Sequence, residues 1–402
     1  MSRRRERDPD HLRGLVRLAQ HGVLGLADLV EEMHAGIARP WTAWRRLPGR
    51  TRGLTGVVYR SIRWTARQVG DGLDIALALA SPRRAGCRPP ARREELVAVL
   101  NGVVGDHLAA TANPLAIPLR LRRAGRDLPR EREALAAALP GAGGRLLLLV
   151  HGLCRSDAHW RRGDHDHGAA LERDLGWTAV AVRYNSGRHV SENGRELAAE
   201  LERLVALWPV PVAELAIVGH SMGGLVARSA CQIAGQEGAA WPGRLHHLVF
   251  LGTPHHGAPL ERGGLWLHRL LGAAPYARPL ARLGAVRSAG ITDLRHGNLL
   301  AEDWRGRDRF APAADRRRPV PLPAGVRCGA IAGLLGAGAG SLRSRLAGDG
   351  LVPLASALGS HPDQARTLAF PPDRQWVGRG IGHFDLLAHP EVYARLRDWL
   401  GG

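Results

Sequence analysis

The residues best suited to do chemistry in this sequence surround Ser221, in the run Gly219-His220-Ser221-Met222-Gly223. The residues before this run are typical of a buried strand, and a helical pattern follows it directly. A serine presented at such a sharp strand-to-helix turn, a nucleophile elbow, needs strained backbone angles. Gly219 and Gly223 are expected to remove the β-carbons that would collide there. The chain has 51 glycines, so the motif alone could arise by chance. The flanking strand and helix favour a nucleophile.

An activated serine requires a general base and an acid that orients the base. Downstream of Ser221, Asp349 lies in Gly348-Asp349-Gly350, a tight turn shortly after a predicted strand. His383 lies further on, in a glycine-flanked loop just before the last predicted helix. The order Ser, Asp, His along the chain is the one expected after a nucleophile elbow. We therefore predict Asp349 as the acid and His383 as the base.

Each of these two residues has an alternative explanation or a rival. Asp349 could simply form a turn, as aspartate before glycine commonly does. Asp293 and Asp303 are rivals for the acid, but they do not follow a predicted strand. His361 and His389 are rivals for the base, and His389 precedes a proline at a helix start, which favours a capping or surface role. Thr253-Pro254-His255-His256-Gly257 ends a strand at the same sheet edge, and its histidines either line the site or hold the loop through hydrogen bonds.

The developing oxyanion requires two backbone donors. One is the N–H of Met222, the residue after the nucleophile. The second is expected from the loop after the first central strand, where Leu147–Val150 runs into His151-Gly152-Leu153. Gly152 allows this loop to approach the substrate, and we assign the donor to the N–H of Leu153. Chemistry of this kind needs no cofactor, and none is expected.

Alternating strand and helix patterns must position these residues. We predict strands at Leu146–Val150, Thr178–Tyr184, Leu215–Val218, Leu248–Leu251, Val326–Leu334 and Thr367–Phe370, with an edge strand at Leu115–Leu121. We predict helices at Arg130–Leu139, Glu192–Leu207, Leu225–Ile233 and Pro390–Leu400. This alternation predicts an α/β protein with a doubly wound, mostly parallel sheet covered on both faces. The segment 258–322 breaks the rhythm and is predicted to be a cap insertion.

Residues 1–112 are predicted to form a helical N-terminal extension, followed by a catalytic domain at 113–402. Three one-sided apolar stripes indicate helices in the extension, and a one-sided helix must bury its apolar face. Packing against the main body is the simpler explanation. The alternative is peripheral contact with a membrane or lipid surface, because Arg60, Arg63 and Arg67 lie beside the second stripe.

Composition excludes several classes of protein. The chain has 402 residues with 56 basic and 37 acidic side chains, a net charge of +19, and every basic residue among the 56 is arginine. The arginines are spread along the whole chain, so we expect no nucleic-acid partner. The four cysteines form no C-x-x-C pair, and Asp164-His165-Asp166-His167 lacks spaced partners, so no metal site is expected. With no apolar run of about 18 residues and no signal-peptide core, we expect a cytoplasmic protein.

These motifs together resemble the lipase and esterase branch of the α/β-hydrolases, in particular bacterial triacylglycerol lipases and the hydrolase domain of GPI inositol-deacylases. The matching pieces are Val150-His-Gly-Leu153, Gly219-His-Ser-Met-Gly-Gly224, Gly252-Thr-Pro-His-His-Gly257, Gly348-Asp-Gly-Leu-Val-Pro353 and His383-Phe-Asp385. They span residues 146–400 and leave 1–112 uncovered.

The resemblance implies the α/β-hydrolase fold, with Ser221 as nucleophile, Asp349 as acid and His383 as base. It also implies hydrolysis of carboxylic esters, with acyl lipids as the expected substrates. An acyltransferase on the same triad and a non-enzymatic protein of lipid or polyester surfaces are the alternatives. Asp385 matches a position that binds structural calcium in some bacterial lipases, but no second carboxylate accompanies it in the sequence.

Overall fold

The computed structural model describes residues 9–37, a set of positions between 60 and 73, and residues 91–258, 287–309, 314–335 and 348–402. Within the predicted cap insertion, residues 259–286 and 310–313 lie outside the described residues. The described residues form two compact units. The smaller unit contains those before position 89 together with 108–116, and the larger unit contains the rest.

The larger unit is built on one eight-stranded sheet with the strand order β10-β9-β8-β7-β3-β6-β1-β2. Its strands are β1 (Arg120–Arg123), β2 (Arg126–Asp127), β3 (Arg145–Val150), β6 (Thr178–Arg183), β7 (Glu214–His220), β8 (Leu245–Leu251), β9 (Arg327–Leu334) and β10 (Gln375–Arg379). The strands from β10 to β6 are parallel, whereas β1 pairs antiparallel with both β6 and β2. A separate hairpin joins β4 (Arg161–Arg162) to β5 (His165–Asp166).

Helices cover both faces of this sheet because its central strands are apolar on both sides. Along β3, Leu146 and Leu148 face one hydrophobic cluster, and Leu147 and Leu149 face the other. Near-continuous apolar strands of this kind are typical of parallel sheets. Within the described ranges, the helices with defined bounds are α1 (Pro9–Ile37), α2 (Ala91–Ala110), α3 (Arg132–Ala138), α4 (His167–Leu175), α5 (Val190–Leu207), α6 (Met222–Glu237), α7 (Ala289–Asp293), α8 (Leu354–Ala357) and α9 (Pro390–Gly401).

Counted in chain order within the sheet, the strands lie as 2-1-4-3-5-6-7-8; strand 1 is antiparallel to both of its neighbours, and the six parallel strands follow in the order 4-3-5-6-7-8. A mostly parallel sheet of this order, covered by helices on both faces, is the α/β-hydrolase fold. The predicted fold class is therefore confirmed, including a helical segment at the N-terminus. Of the cap insertion, the described residues include the short helix α7.

The prediction of a strand at Thr367–Phe370 is wrong. These residues follow the short helical turn Gln364–Arg366 as irregular chain, and the last strand is β10, a few residues later. Leu368 and Phe370 are apolar because they insert into the hydrophobic core, not because they pair in the sheet. Two prolines follow directly at 371 and 372 and would interrupt a strand. The pattern also placed the edge strand too early, since β1 begins at Arg120.

Most of α2 belongs to the larger unit, whereas the sequence pattern predicts it as part of the N-terminal extension, residues 1–112. A β-carbon on Gly102 would lie 2.9 Å from the Cα of Cys154, and Asn185 donates a 2.8 Å hydrogen bond to the carbonyl of Gly105. The two glycines thus allow α2 to approach the loops after β3 and β6 closely. The boundary at residue 112 stays a prediction.

In the smaller unit, α1 is held by polar contacts. The buried guanidinium of Arg63 pairs with Glu31 and, at 2.9 Å, with Asp28. Arg63 is therefore engaged within the protein, whereas Arg60 and Arg67 are exposed. No helix among the described residues is long and apolar enough to span a bilayer.

Candidate active site

Ser221 stands between the end of β7 and the start of α6, with φ 53° and ψ −127°. A non-glycine residue at positive φ is strained, at a cost of about 1–3 kcal/mol. The strain is held by a 2.8 Å hydrogen bond from the N–H of Ser221 to the carbonyl of Leu251, at the end of the neighbouring strand β8. The side chain of Ser221 therefore lies at the C-terminal edge of the sheet, beyond the last residue of β7.

The two glycines of the motif are required by close backbone packing. A β-carbon on Gly219 would lie 2.6 Å from the Cα of Gly224, and one on Gly223 would collide with the carbonyl oxygen of Val150. Real β-carbons do not approach other atoms this closely, so any larger residue would displace the first turn of α6. The steric reason predicted for the glycine spacing is present in the structure.

Asp349 and His383 form a buried pair. His383 Nδ1 lies 2.7 Å from Asp349 Oδ2, and the N–H of His383 donates to the carbonyl of Asp349 at 3.0 Å. The other carboxylate oxygen, Oδ1, accepts the N–H groups of Leu351 at 3.0 Å and Val352 at 2.8 Å. The turn after β9 thus fixes the carboxylate, and the carboxylate fixes the imidazole.

The end of β8 lies beside Ser221, Asp349 and His383. Leu251 accepts the N–H of Ser221, and a β-carbon on the next residue, Gly252, would lie 2.9 Å from Asp349 Oδ2 and 3.1 Å from His383 Nδ1. His220, the residue before Ser221, also contacts this pair, because its Nε2 donates to the carbonyl of His383 at 3.0 Å. The Ser221 hydroxyl itself makes no hydrogen bond within the described residues.

The loop after β3 lies against Ser221. A β-carbon on Gly152 would lie 2.9 Å from Cβ of Ser221. Tyr184 supports this loop, stacking on the ring of His151 at 4.3 Å and donating to its carbonyl at 2.7 Å. Among the described residues, no acceptor is bonded to the backbone N–H of Leu153 or to that of Met222. The N–H of Met222 lies at the positive end of α6, directly after Ser221, and that of Leu153 follows Gly152, which lies against Ser221.

Burial keeps His220 and His151 neutral. It lowers the pKa of His220 well below its usual value, with the charge of neighbouring His383 acting in the same direction. It also lowers the pKa of His151 to about 4. A neutral His220 can donate through Nε2 without placing a positive charge beside His383.

Sequence reasoning missed two arginines that hold the His383 loop. The guanidinium of Arg155 lies 4.2 Å from the ring centre of Phe384, and burial lowers its pKa to about 10. Arg162 donates to the carbonyl of Phe384 and lies 3.7 Å from the carboxylate of Asp385. In the sequence, the only indication of this role is that Arg155 follows Leu153, the predicted oxyanion donor, by two residues.

The rival acids have structural partners instead. Asp293 accepts the N–H of Val190 at 2.8 Å and lies 3.0 Å from His189 Nδ1. Asp303 accepts the backbone N–H groups of Leu299 and Leu300. Both carboxylates thus anchor described parts of the predicted cap rather than contact Ser221.

The remaining histidines also have local roles. His389 accepts the N–H of Glu391 at 3.3 Å and caps α9, and His361 accepts the N–H of Asp363 at 3.0 Å in an exposed loop. His256 Nε2 donates to a loop carbonyl at 3.0 Å, which supports the loop-holding interpretation of the histidines after β8.

In the Asp-His-Asp-His run, Asp166 caps α4, and His165 and His167 bond to each other at 2.8 Å. Asp385 accepts the N–H of Gly382 at 3.1 Å. No group of three or more His, Cys, Asp or Glu side chains in the described ranges could hold a metal ion.

The chain matches one family model and is similar in fold to several solved structures. Residues 117–273 match a family model described as a domain of unknown function, DUF7379. No match was found among curated proteins.

Several solved structures are similar in fold. The mature lipase BlEst2 of Bacillus licheniformis is 21% identical with a TM-score of 0.41, over 64% of this chain and 91% of that one. The esterase Pf2001 of Pyrococcus furiosus is 14% identical with a TM-score of 0.37, over 65% and 81%. Phospholipase PlaB of Legionella pneumophila is 19% identical with a TM-score of 0.34, over 53% and 44%. The α/β-hydrolase assignment itself rests on the strand order.

Proposed function

We propose that this protein is a serine hydrolase that cleaves carboxylic esters, with acyl lipids as its substrates. The observation that carries the proposal is the buried 2.7 Å pair of His383 and Asp349, held by the end of β8 beside the strained Ser221. A strained serine, a histidine and a buried carboxylate together provide a nucleophile, its base and the group that orients the base.

In the proposed mechanism, Ser221 attacks the ester carbonyl while His383 Nε2 takes the serine proton. Asp349 holds the proton on Nδ1, so Nε2 is free to accept. Because the Ser221 hydroxyl has no hydrogen bond among the described residues, its bond to His383 is expected to form when substrate binds, as is common for catalytic contacts.

Charge on the tetrahedral intermediate would be stabilised by the N–H groups of Leu153 and Met222. Loss of one such donor typically lowers kcat by about 10²–10³-fold. His383 then returns its proton to the leaving alcohol, and water attacks the acyl-enzyme by the same route. Every proton movement uses groups of the chain or water, so the proposal includes no cofactor.

Labelling with a fluorophosphonate probe tests the proposal directly. The probe reacts with activated serines, so we expect stoichiometric labelling and, after digestion, modification of the peptide that contains Ser221. Labelling of another serine, or none in protein that is folded by circular dichroism, would contradict the proposal. Incubation of acyl esters with an alcohol acceptor separates the alternatives, since an acyltransferase would form a new ester instead of free acid.

We further propose that the N-terminal residues contact an anionic lipid surface. Trp64, Val69 and Leu73 are 64%, 56% and 48% exposed, and Arg60 and Arg67 are exposed on the same segment. Exposed apolar side chains interspersed with arginine are typical of helices that lie at a membrane interface. This contact would hold the protein at a lipid surface, where acyl esters are concentrated.

Two truncations are expected to behave differently. Protein 113–402 lacks α2, whose Val99 and Val103 are part of the core, so it should be insoluble or much less stable. Protein 89–402 keeps α2 and should hydrolyse soluble p-nitrophenyl esters at the full-length rate. It should no longer sediment with phosphatidylglycerol vesicles, whereas the full-length protein should bind them less tightly as salt increases.

Neutral phosphatidylcholine vesicles are the control for this binding. Equal stability of the two truncated proteins would show that α2 is not part of the catalytic unit. Undiminished vesicle binding by 89–402 would contradict the lipid-contact proposal and leave the esterase proposal intact.

A further inference from the structure

A small cavity lies beside α6, separate from the three candidate catalytic residues. Its volume is about 20 Å³, and it is lined by α6, the loop after β8, and the described segment 314–320. The lining includes the side chains of Arg228, His255, Arg317 and Arg318. A cavity of this size holds one water-sized atom or ion.

Arg228 is the charge that most needs a partner. It lies on α6, two helical turns after Ser221, and is only 4% exposed. Its two terminal nitrogens contact His255 Nδ1 at 3.3 Å and the carbonyl of Val320. No carboxylate among the described residues pairs with it, and its Nε has no acceptor there. A buried charge left unpaired in this way is strongly destabilising.

His255 contacts Arg228 but does not neutralise its charge. Because Arg228 can only donate, His255 Nδ1 must accept, which places the ring proton on Nε2. That Nε2 is buried and has no partner within the described residues. Burial and the charge of Arg228 keep the pKa of His255 well below its usual value, so the ring is neutral. His255 therefore gives Arg228 an acceptor but no negative charge, and its own Nε2–H points to the other side of the ring, away from Arg228.

The surrounding charges are positive overall. The cavity is lined by four arginines and one aspartate, Asp303, which already accepts the backbone N–H groups of Leu299 and Leu300. Asp315 is shared between Arg317, at 2.8 Å, and Arg366, at 3.2 Å. Neither carboxylate is left to neutralise Arg228, and with burial the charge of Arg317 lowers the Arg228 pKa to about 9.

We propose that this cavity binds a small inorganic anion of the size of chloride, with the guanidinium of Arg228 as its donor. A neutral water could accept the same hydrogen bonds, but only an anion also offsets the charge of Arg228. The cavity is too small for phosphate or a carboxylate-bearing metabolite. The bound anion would connect three parts of the fold, namely α6, the loop that begins at Gly252, and the segment around Arg317.

The position of this cavity has a consequence for Asp349 and His383 that does not depend on the chemistry they perform. The carbonyl of His255 accepts a 3.0 Å hydrogen bond from Arg317, and three residues earlier Gly252 abuts Asp349 and His383. An anion at Arg228 would therefore stabilise the loop on which that pair rests. Its effect is first on stability, which can be measured without a substrate.

Thermal unfolding at constant ionic strength tests the site, with sodium gluconate replaced stepwise by sodium chloride or bromide. Gluconate is too large for the cavity. For the wild-type protein we expect a saturating rise in Tm, of about 4 °C once the halide concentration is a hundredfold above Kd. Arg228→Met should show no halide-dependent rise. Arg203→Met is the matched control, because Arg203 is an exposed arginine paired with Glu200, and it should keep the wild-type response.

Bromide-soaked crystals of the wild-type protein provide a second measurement that does not require the variant to fold. An anomalous peak within hydrogen-bond distance of the Arg228 guanidinium is expected. A cavity that is empty or holds only water at saturating bromide would overturn the proposal. So would a wild-type Tm that is the same in gluconate and chloride, or a halide response that Arg228→Met retains.

Discussion

Replacing Ser221 with alanine is expected to lower kcat on short p-nitrophenyl esters by about 10⁶-fold, the loss typical when a catalytic serine is removed. In the proposed mechanism the nucleophile is then lost, while the N–H groups of Leu153 and Met222 remain and would account for a small residual rate. The Ser221 hydroxyl holds no hydrogen bond among the described residues, so Tm should change little. Steady-state kinetics and differential scanning calorimetry measure the two quantities.

Two further variants sharpen this prediction. Ser221→Gly should be equally inactive but more stable by about 1 kcal/mol, because glycine adopts φ 53° without the strain that a β-carbon causes. Ser360→Ala changes an exposed serine whose side chain has no described hydrogen bond, and it should behave as wild type. Wild-type activity in Ser221→Ala would refute the central assignment.

Asp349→Asn is expected to lower kcat by about 10⁴-fold, as the corresponding change does in serine proteases. The amide oxygen of the new side chain would take the place of Oδ1, which accepts the N–H groups of Leu351 and Val352. The amide NH₂ would then face His383 Nδ1 and force the ring proton onto Nε2. In that tautomer His383 cannot accept the proton of Ser221. The fold should persist, because both backbone hydrogen bonds are kept.

The rival carboxylates are the controls for this change. Asp293→Asn and Asp303→Asn alter side chains that bond backbone N–H groups in the described part of the predicted cap, so they should lower Tm more than kcat. Asp293 is the stricter control, because it also lies 3.0 Å from a histidine, His189. If Asp349→Asn were nearly silent and Asp293→Asn abolished turnover, the acid would have been assigned to the wrong pair.

The fold could be predicted from the sequence where strands are buried on both faces. Strands β3, β7 and β8 are long apolar runs, and their order with the intervening helices requires a parallel sheet. The sequence pattern does not indicate the last strand, β10, for the opposite reason. β10 is an edge strand with the sequence Gln-Trp-Val-Gly-Arg, so its mixed composition lacks the apolar run by which the central strands are recognised.

The helix α2 shows a second limit of sequence analysis. Its apolar stripe correctly indicates a helix, but a stripe does not specify which surface it covers. Gly102 and Gly105 decide that question in the structure, since each lies where a β-carbon would meet the loops after β3 and β6. Such a contact depends on two segments far apart in the chain and leaves no local pattern.

The sequence by itself determined the elbow around Ser221, because the strain of that turn is relieved by glycines within three residues of it. It also determined the order of Ser221, Asp349 and His383 along the chain. Only the tertiary structure decided that Asp349 and His383, 34 residues apart, meet at 2.7 Å beside the end of β8. It alone decided that Arg228 is buried without a carboxylate partner among the described residues. Local steric requirements are recorded in neighbouring residues, whereas the pairing of a charged side chain depends on every element packed around it.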